Sequence, residues 1–587
     1  MALATTLGLA VLTGCSGLPD SGPAGSGRPI GETSVEPLQA DPQGPRPGAG
    51  PAEVVGDFLR AGAGFADDHA VARGFLVGPA ARSWRPSRGT LVYQDDAVLT
   101  VRQLGGGDTV RVETEAPVAA TIDGSGRYTE ARPGTTARAT FTTERVGGQW
   151  RVSDLEDDFG LWMPPYEVAR AYAPVRINYL VPGSRMLVPD LRWFGGARAG
   201  LATALVRGLL DGPPAYLRDA VVSAAPPGTA LSVDAVPSTD GVAQVDLTSA
   251  VLRGTPDQRQ ALWAELSTTL GQLPGVSGVR LTVAGRPFVV PGVTASSAGT
   301  DLGFADDVRV AGEPLILTSD RLEQVDAGSG GAVPVPTTYV AGSASGAGLR
   351  SLSAGPRGTP LVALDDAGTA VLRLSAGGRR DLVLTGSRLR DPVVDPRGRI
   401  WTADGAVPGR LMVVDGSAAP GGASGSAAGA ADRAGLVELT PSWLHGRFVE
   451  ALDVSRDGAR VAVVSSRGGE RRLDVAGIVR GEGGRPLRLT GTALPVARSL
   501  DDVRDVAWAD RGTLVLLARS GTGPLRPYSA SVGGTATALP DVEGAVSVAA
   551  GDGLRAVYVT TAAGEVLARS GSGWRSLGPG RGVTVPG

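Results

Sequence analysis

Lysine is absent from this chain: all 56 basic residues are arginine. Histidine occurs only as His69 and His445, cysteine only at position 15, and aromatic residues make up 5% of the total. Each shortage removes chemistry. Without lysine there is neither a phosphate-reading P-loop lysine nor a Schiff base. Two histidines cannot form a three-histidine metal site, and the patterns HExxH, CxxC and GxSxG do not occur. A single cysteine cannot close an intramolecular disulfide. Arginine in place of lysine is the codon signature of a GC-rich genome. The net charge of −3 is too even for a strongly basic nucleic-acid binder. The chain is therefore read as a non-enzyme, with no catalytic residue, no metal and no cofactor.

What the chain has in quantity is glycine (87) and proline (43), with 42% hydrophobic residues over 587 positions. That is enough apolar surface for packed cores, and long enough for about three or four domains. The mixture suits many short strands joined by turns, with flexible linkers between domains.

The lone cysteine has a particular setting. Residues 3–13 (LATTLGLAVLT) form an uncharged apolar run, too short to span a bilayer as a helix. The run ends in Leu12-Thr13-Gly14-Cys15, and Pro and Gly follow. Small residues before a thiol are similar to the bacterial lipobox. The resemblance implies a signal peptide over 1–14, cleavage between Gly14 and Cys15, an S-diacylglyceryl group on Cys15 and an acyl group on its new amine. It departs from the usual pattern in one respect: no Arg or Lys precedes Leu12. The alternative is a buried N-terminal helix with an incidental cysteine. With two or three acyl chains the anchor is stable, and the protein sits on the outer face of the plasma membrane.

Residues 15–50 carry the lipidated cysteine and a Pro/Gly/Ser-rich tether that cannot bury a core. Residues 51–165 read as a small α+β domain. PAEVVGDFLRAGAG sets Val54, Val55, Phe58 and Leu59 on one helical face, and strand-like runs follow, ending in GGQWRVSDL. A helix followed by a curved antiparallel sheet is similar to the NTF2-like fold. Residues 175–292 read as a second α+β domain. Leu201, Leu205 and Leu209 repeat at helical spacing, Ala243, Val245 and Leu247 alternate with polar residues, and Thr255-Pro256-Asp257-Gln258 is a capping box. The combination LLDGPP, AQVDLTS and a closing strand ending in Ala-Gly is similar to the GerMN domain, a binding or assembly module with no catalytic residue to carry over. Residues 300–587 hold strand pairs around recurring turns, with glycines at 312, 358, 398, 458, 512 and 553. The spacings of 46, 40, 60, 54 and 41 match propeller blades of about 40–50 residues. The fold expected is two small α+β domains followed by an all-β propeller of about six blades. The stretch GSAAPGGASGSAAGAADRAG inside the long interval is expected to be a surface loop.

Candidate chemistry is thin. Asp453 and Asp457 in DVSRDG resemble a calcium loop, yet the same turn recurs without both acids, which favours a blade hairpin. Asp157-Asp158 and the group Asp501, Asp502 and Asp505 read as solvated loop charges. His69 reads as a solvated helix residue, and His445 as a propeller-core or channel-rim residue rather than a base. Trp401, Trp443, Trp508 and Trp574 read mostly as core; several of them at a central opening could stack on a sugar or peptide.

The order of lipobox, tether, small α+β domain, GerMN-like domain and propeller, in an Arg-only chain, resembles the LpqB family of actinobacterial lipoproteins. The resemblance implies an extracytoplasmic partner of the MtrB sensor kinase of the MtrAB two-component system, which acts on cell-wall and cell-division control. It implies a modulator with no nucleic-acid partner. Two other classes stay open: a receptor for cell-wall glycan or peptide using the propeller face, and a carboxylate-only hydrolase, which needs two carboxylates about 5–9 Å apart at the propeller mouth.

Overall fold

The computed structural model describes residues 42–196, 198–293, 299–308, 310, 312–319, 321–326, 332–333, 348–375, 379–416 and 435–586. The signal segment, Gly14, Cys15, the tether up to residue 41 and most of the low-complexity stretch lie outside them.

Helix Pro51–Ala61 starts where proline costs nothing, at its first position, and the Glu53 side chain accepts the Gly50 N–H at 2.8 Å. Its apolar face, with Val54, Val55 and Phe58, is buried. Phe58 meets Trp84 and Phe141 edge-on at 5.2 and 6.1 Å. The sheet beneath is built on the long strand Thr109–Asp123, in which Val110, Val112, Ala116, Ala120 and Ile122 are buried. That alternation is the period of a strand with one face on the core. The sheet is seven-stranded, with five strands in its main path, in which Thr109–Asp123 pairs with Gly89–Tyr93 on one side and Thr136–Val146 on the other.

No linker separates this domain from the next. Helix Pro165–Ala171 passes directly into strand Tyr172–Leu180, which pairs with Leu187–Gly195. The second domain sets Val242–Leu247 parallel to Gly278–Val283, joined through helix Pro256–Leu270. The capping box forms as the sequence predicts: Thr255 N–H donates to Gln258 Oε1 at 2.9 Å, and Gln258 N–H to Thr255 Oγ1 at 3.2 Å. Within the helix, Glu265 is fully buried and braces two segments, accepting the Leu180 and Ala224 N–H groups at 3.0 Å each.

The rest is a six-bladed propeller. The innermost strands are Gly582–Thr584, Leu349–Ala354, Val393–Val394, Phe448–Val454, Asp502–Trp508 and Ala545–Ala550, blades one to six in that order. Blade one is closed by the last strand of the chain, Gly582–Thr584, pairing with Leu315–Leu317. That explains one departure from the glycine pattern. Gly358, Gly398, Gly458 and Gly553 have φ of 78, 77, 68 and 73° beside the turns after their inner strands, where a side chain would be strained. Gly312 is no such turn, because blade one takes its inner strand from the far end of the chain.

Between the first two domains the expectation of a flexible linker is overturned by the helix that runs directly into the next strand, and the second domain packs onto the propeller. One apolar core runs from Val175 and Leu262 of the second domain into Val464, Leu473, Trp508 and Leu516 of blades four and five. Polar groups are buried along the same seam. Asp190 accepts from the Arg192 guanidinium and from the Tyr216 hydroxyl at 2.9 Å, with Asp190 and Arg192 only 2% and 5% exposed. Arg460 of blade four is fully buried, lies 4.7 Å from the Trp508 ring and donates to Pro189 O and Asp457. Tyr216 O accepts the Gly477 N–H at 2.8 Å and the Thr490 hydroxyl at 3.0 Å. The N-terminal domain joins through the Asp123–Arg127 turn: Trp193 N–H donates to Gly126 O at 2.6 Å and Arg192 to Ser125 O at 2.7 Å. Gly126 has φ of +82° and a Cβ there would meet Trp193 O at 2.7 Å, so only glycine fits.

Two outcomes follow for stability. Asp190→Ala leaves a buried guanidinium and a hydroxyl without their acceptor and is expected to cost about 3–5 kcal/mol, against about 1–2 kcal/mol for Tyr216→Phe, both read by urea unfolding. A chain ending at Gly580 lacks the strand that closes blade one, and its Tm is expected to fall by about 10 °C in a thermal melt.

Candidate functional site

The six inner strands run side by side around a central cavity of about 400 Å³. Its two mouths differ. The starts of the strands place Arg581, Arg350, Asp391, Glu450, Arg504 and Val546 around one mouth, one residue per blade. Cations from blades five, one and two thus face acids from blades three and four. Arg350 and Asp391 pair with each other within the ring at 3.8 Å, and the other charges pair outward: Arg504 with Asp502 at 2.8 Å, Arg581 with Asp366 at 3.6 Å, and Glu450 with Arg390 at 2.5 Å. The ring is polarised and solvated.

The other mouth is stitched to the second domain. Arg511 pairs with Asp306, Asp307 attracts Arg456, and Val310 lines the cavity. Arg456 donates to the carbonyls of Trp508 at 3.3 Å and Ala550 at 3.5 Å, and to that of Gly551.

Two acids lie along the wall. Asp453 accepts the Val454 N–H at 2.9 Å and the Trp508 N–H at 2.7 Å, reaching from blade four to blade five. Asp505 accepts the Val506 N–H at 2.9 Å and the Val548 N–H at 2.8 Å, reaching from blade five to blade six. Both line the cavity and are half-buried. Burial pushes Asp453 up to about 6; burial, with the Asp391 and Asp453 charges adding, pushes Asp505 up to about 7. These carboxylates are committed to holding neighbouring blades together.

Several sequence-level readings change here. Asp505 is a channel residue, apart from Asp501, which caps Gly521 N–H at 2.5 Å, and Asp502, which holds Arg471 at 2.9 Å and Arg504 at 2.8 Å. A strand places every second residue on the channel side, so three nearby acids point to different surroundings. Asp157 and Asp158 are exposed. Asp457 binds the Ser455 hydroxyl at 2.6 Å and the Ala459 N–H at 2.8 Å, while Asp453 faces the channel, so DVSRDG is a blade hairpin. His69 is buried, not solvated: its Nδ1 lies 3.1 Å from Gly62 O and its ring 4.6 Å from that of Phe65, and burial holds its pKa below the usual value. His445 is exposed after the short turn Ser442–Leu444 and lies neither in the core nor on the channel lining. Of the four propeller tryptophans considered, only Trp508 borders the cavity. Trp401, Trp443 and Trp574 donate their indole N–H to Asp395, Thr490 O and Pro540 O at 3.0, 3.1 and 3.1 Å. The seam arginines escaped sequence reading altogether, because nothing local marks Arg460 as buried.

The raised acids make a pH signature. Unfolded, Asp and Glu titrate near 4; folded, Asp453 and Asp505 titrate near 6 and 7, and burial pushes Glu265 up to about 8. Between those values the folded chain holds protons that the unfolded chain has released. The stability contribution of these groups is full below about pH 4 and is lost as pH rises toward 8. Asp505→Asn is expected to remove close to one proton from the uptake on folding between about pH 4.5 and 7, read from urea midpoints across that range.

Among the described residues, no helix is long and apolar enough to cross a membrane. Three family models match the chain in order: the N-terminal domain of lipoprotein LpqB over residues 44–169, the sporulation and spore germination domain called Germane over 177–289, and the LpqB β-propeller domain over 321–586. None is named for an enzyme activity. Lipoprotein LpqB of Thermobifida fusca is 28% identical, covering 91% of this chain and 90% of the relative. Those of Cutibacterium acnes and Streptomyces coelicolor are 27% and 28% identical, covering 89% and 88% of this chain and 87% and 85% of theirs. Over most of its length the chain is similar to the LpqB lipoproteins, and two of its three matched domains are LpqB domains.

Proposed function

We propose that this protein is a lipid-anchored accessory protein on the outer face of the plasma membrane, binding and modulating a membrane sensor kinase of the MtrB type and so acting on cell-wall and cell-division control. The observation that carries the reading is the joining of the second domain and the propeller by a continuous core, with the N-terminal domain attached through hydrogen bonds at its Asp123–Arg127 turn, and one propeller mouth ringed by charge. A rigid face with opposite charges on its two sides suits docking to a complementary protein surface, where charge sets orientation and on-rate. The wall acids are held by backbone amides, which supports binding over catalysis. Cys15 supplies the anchor in this reading, with cleavage after Gly14 and acylation at both sulfur and amine. Tethering raises the effective concentration of the open face near membrane partners.

A second reading is favoured by the same mouth: its arginine arc and acids suit a charged cell-wall glycan or peptide. Titration of a soluble chain beginning at Ser16 against the purified extracytoplasmic domain of the cognate kinase separates the two. Saturable binding is expected, weakened at least tenfold in an Arg350→Glu, Arg581→Glu double variant. No binding at high micromolar concentration would move the cell-wall ligand to first place. Labelled palmitate is expected to enter the full-length protein and not Cys15→Ala, which should appear in the medium.

A further inference from the structure

Between the N-terminal domain and blade four lies a second pocket, of about 350 Å³. Arg132 reaches it from the N-terminal domain; Arg471, Arg472 and Arg498 line it from the propeller, with the acids Glu470, Asp474 and Asp501. Most of these charges have partners. Arg132 pairs with Glu470 at 2.7 Å, Arg472 with Asp474 at 2.7 Å, and Arg471 with Asp502 at 2.9 Å. Asp501 is occupied by the Gly521 N–H at 2.5 Å. A further arginine, Arg447, lies buried behind Glu470, holding Ser465 Oγ at 2.9 Å.

Arg498 is the exception. Among the described residues no ion pair or hydrogen bond reaches its half-buried guanidinium. Its surroundings are mixed: burial first, and then the charges of Arg132 and Arg472, hold its pKa below the ordinary value, while the nearby Asp474 and Glu470 carboxylates act in the opposite direction without contacting it. The backbone nevertheless directs it there. Ala497, just before it, has φ of +53°, a left-handed conformation that is unfavourable for a non-glycine residue. The strand before the bend is pinned by pairing of Val496 with Leu473, and the turn closes with Leu500 N–H on Ala497 O at 3.0 Å. A strained residue thus precedes a cation without an ion pair or hydrogen bond, set between other arginines and acids that are already paired, at a pocket large enough for a polyatomic anion.

We propose that this pocket binds a phosphate group, with Arg498 as its main ligand and Arg132 and Arg472 at its flanks. A carboxylate is satisfied by one guanidinium fork, whereas phosphate accepts from several directions at once, which matches arginines entering from two domains. The group can belong to a soluble phosphate or to the headgroup of an anionic phospholipid; the chemistry recognised is the same. Because Arg132 stands on one domain and the rest on another, an occupant ties the two together and stabilises the folded chain by mass action. The inference is independent of the kinase reading.

The test uses the soluble chain beginning at Ser16. Its Tm is followed in inorganic phosphate and in chloride at matched ionic strength, and its sedimentation with phosphatidylglycerol vesicles is compared with neutral phosphatidylcholine vesicles. The expected result is a saturable rise of Tm with phosphate, and an apparent Kd at least tenfold weaker in Arg498→Gln, whose Tm in chloride matches or exceeds that of the wild type. Arg498→Lys, which keeps the charge and loses the fork, is expected to weaken binding severalfold and stands in if Arg498→Gln does not fold. Arg498-dependent sedimentation with phosphatidylglycerol, without a response to free phosphate, also supports the pocket and identifies a lipid headgroup. Equal responses in wild type and both variants, or no response in either arm, overturns the proposal.

Discussion

The buried charges at the domain seam constrain everything else. Asp190, Arg192 and Tyr216 of the second domain meet Arg460 and Trp508 of the propeller where water is excluded. Apolar contact alone would hold the domains together in many registers. A buried guanidinium that must find Pro189 O and Asp457 allows few. The Asp123–Arg127 turn adds a second condition, since the Trp193 N–H must reach Gly126 O while its indole nitrogen reaches Gly533 O of blade five at 3.0 Å. The relative placement of the three domains is therefore specified chemically.

That placement determines what each part can do. The connection leaving the second domain runs to one propeller mouth through Asp306 and Val310 and leaves the other open. The wall acids act between blades, so the channel and the closure of the propeller share residues. The Arg498 pocket exists only because Arg132 arrives from the N-terminal domain. A separated propeller would lose the apolar neighbours of Leu473 and Trp508, and with them the basis for treating it as an independent module.

Elements with local signatures were legible in the sequence. The helix at Pro51, the capping box at Thr255 and the blade-turn glycines each announce themselves within a few residues, because propensity, capping and φ > 0 are local physics. The propeller class and a count of about six blades followed from turn spacing, although Gly312 marks no blade turn. What stayed hidden was long-range. Asp505 looks like Asp501 and Asp502 in a charged run, and only the facing of the strand places it in the channel. His69 sits among polar residues in the sequence and under Phe65 and Trp84 in the fold. Loops rich in glycine and proline suggested independent domains, yet the apolar residues of the GerMN-like domain and of blades four and five complete one another's core. The lipobox reading, by contrast, rests on residues 1–15 alone and needs no fold.

The central claim is that the second domain and the propeller are one cooperative body. Differential scanning calorimetry of the soluble chain beginning at Ser16 tests it directly. The account predicts a single transition for these two parts, with calorimetric and van't Hoff enthalpies in a ratio of about one. Two separate transitions, one of them surviving unchanged in Asp190→Ala, would contradict it.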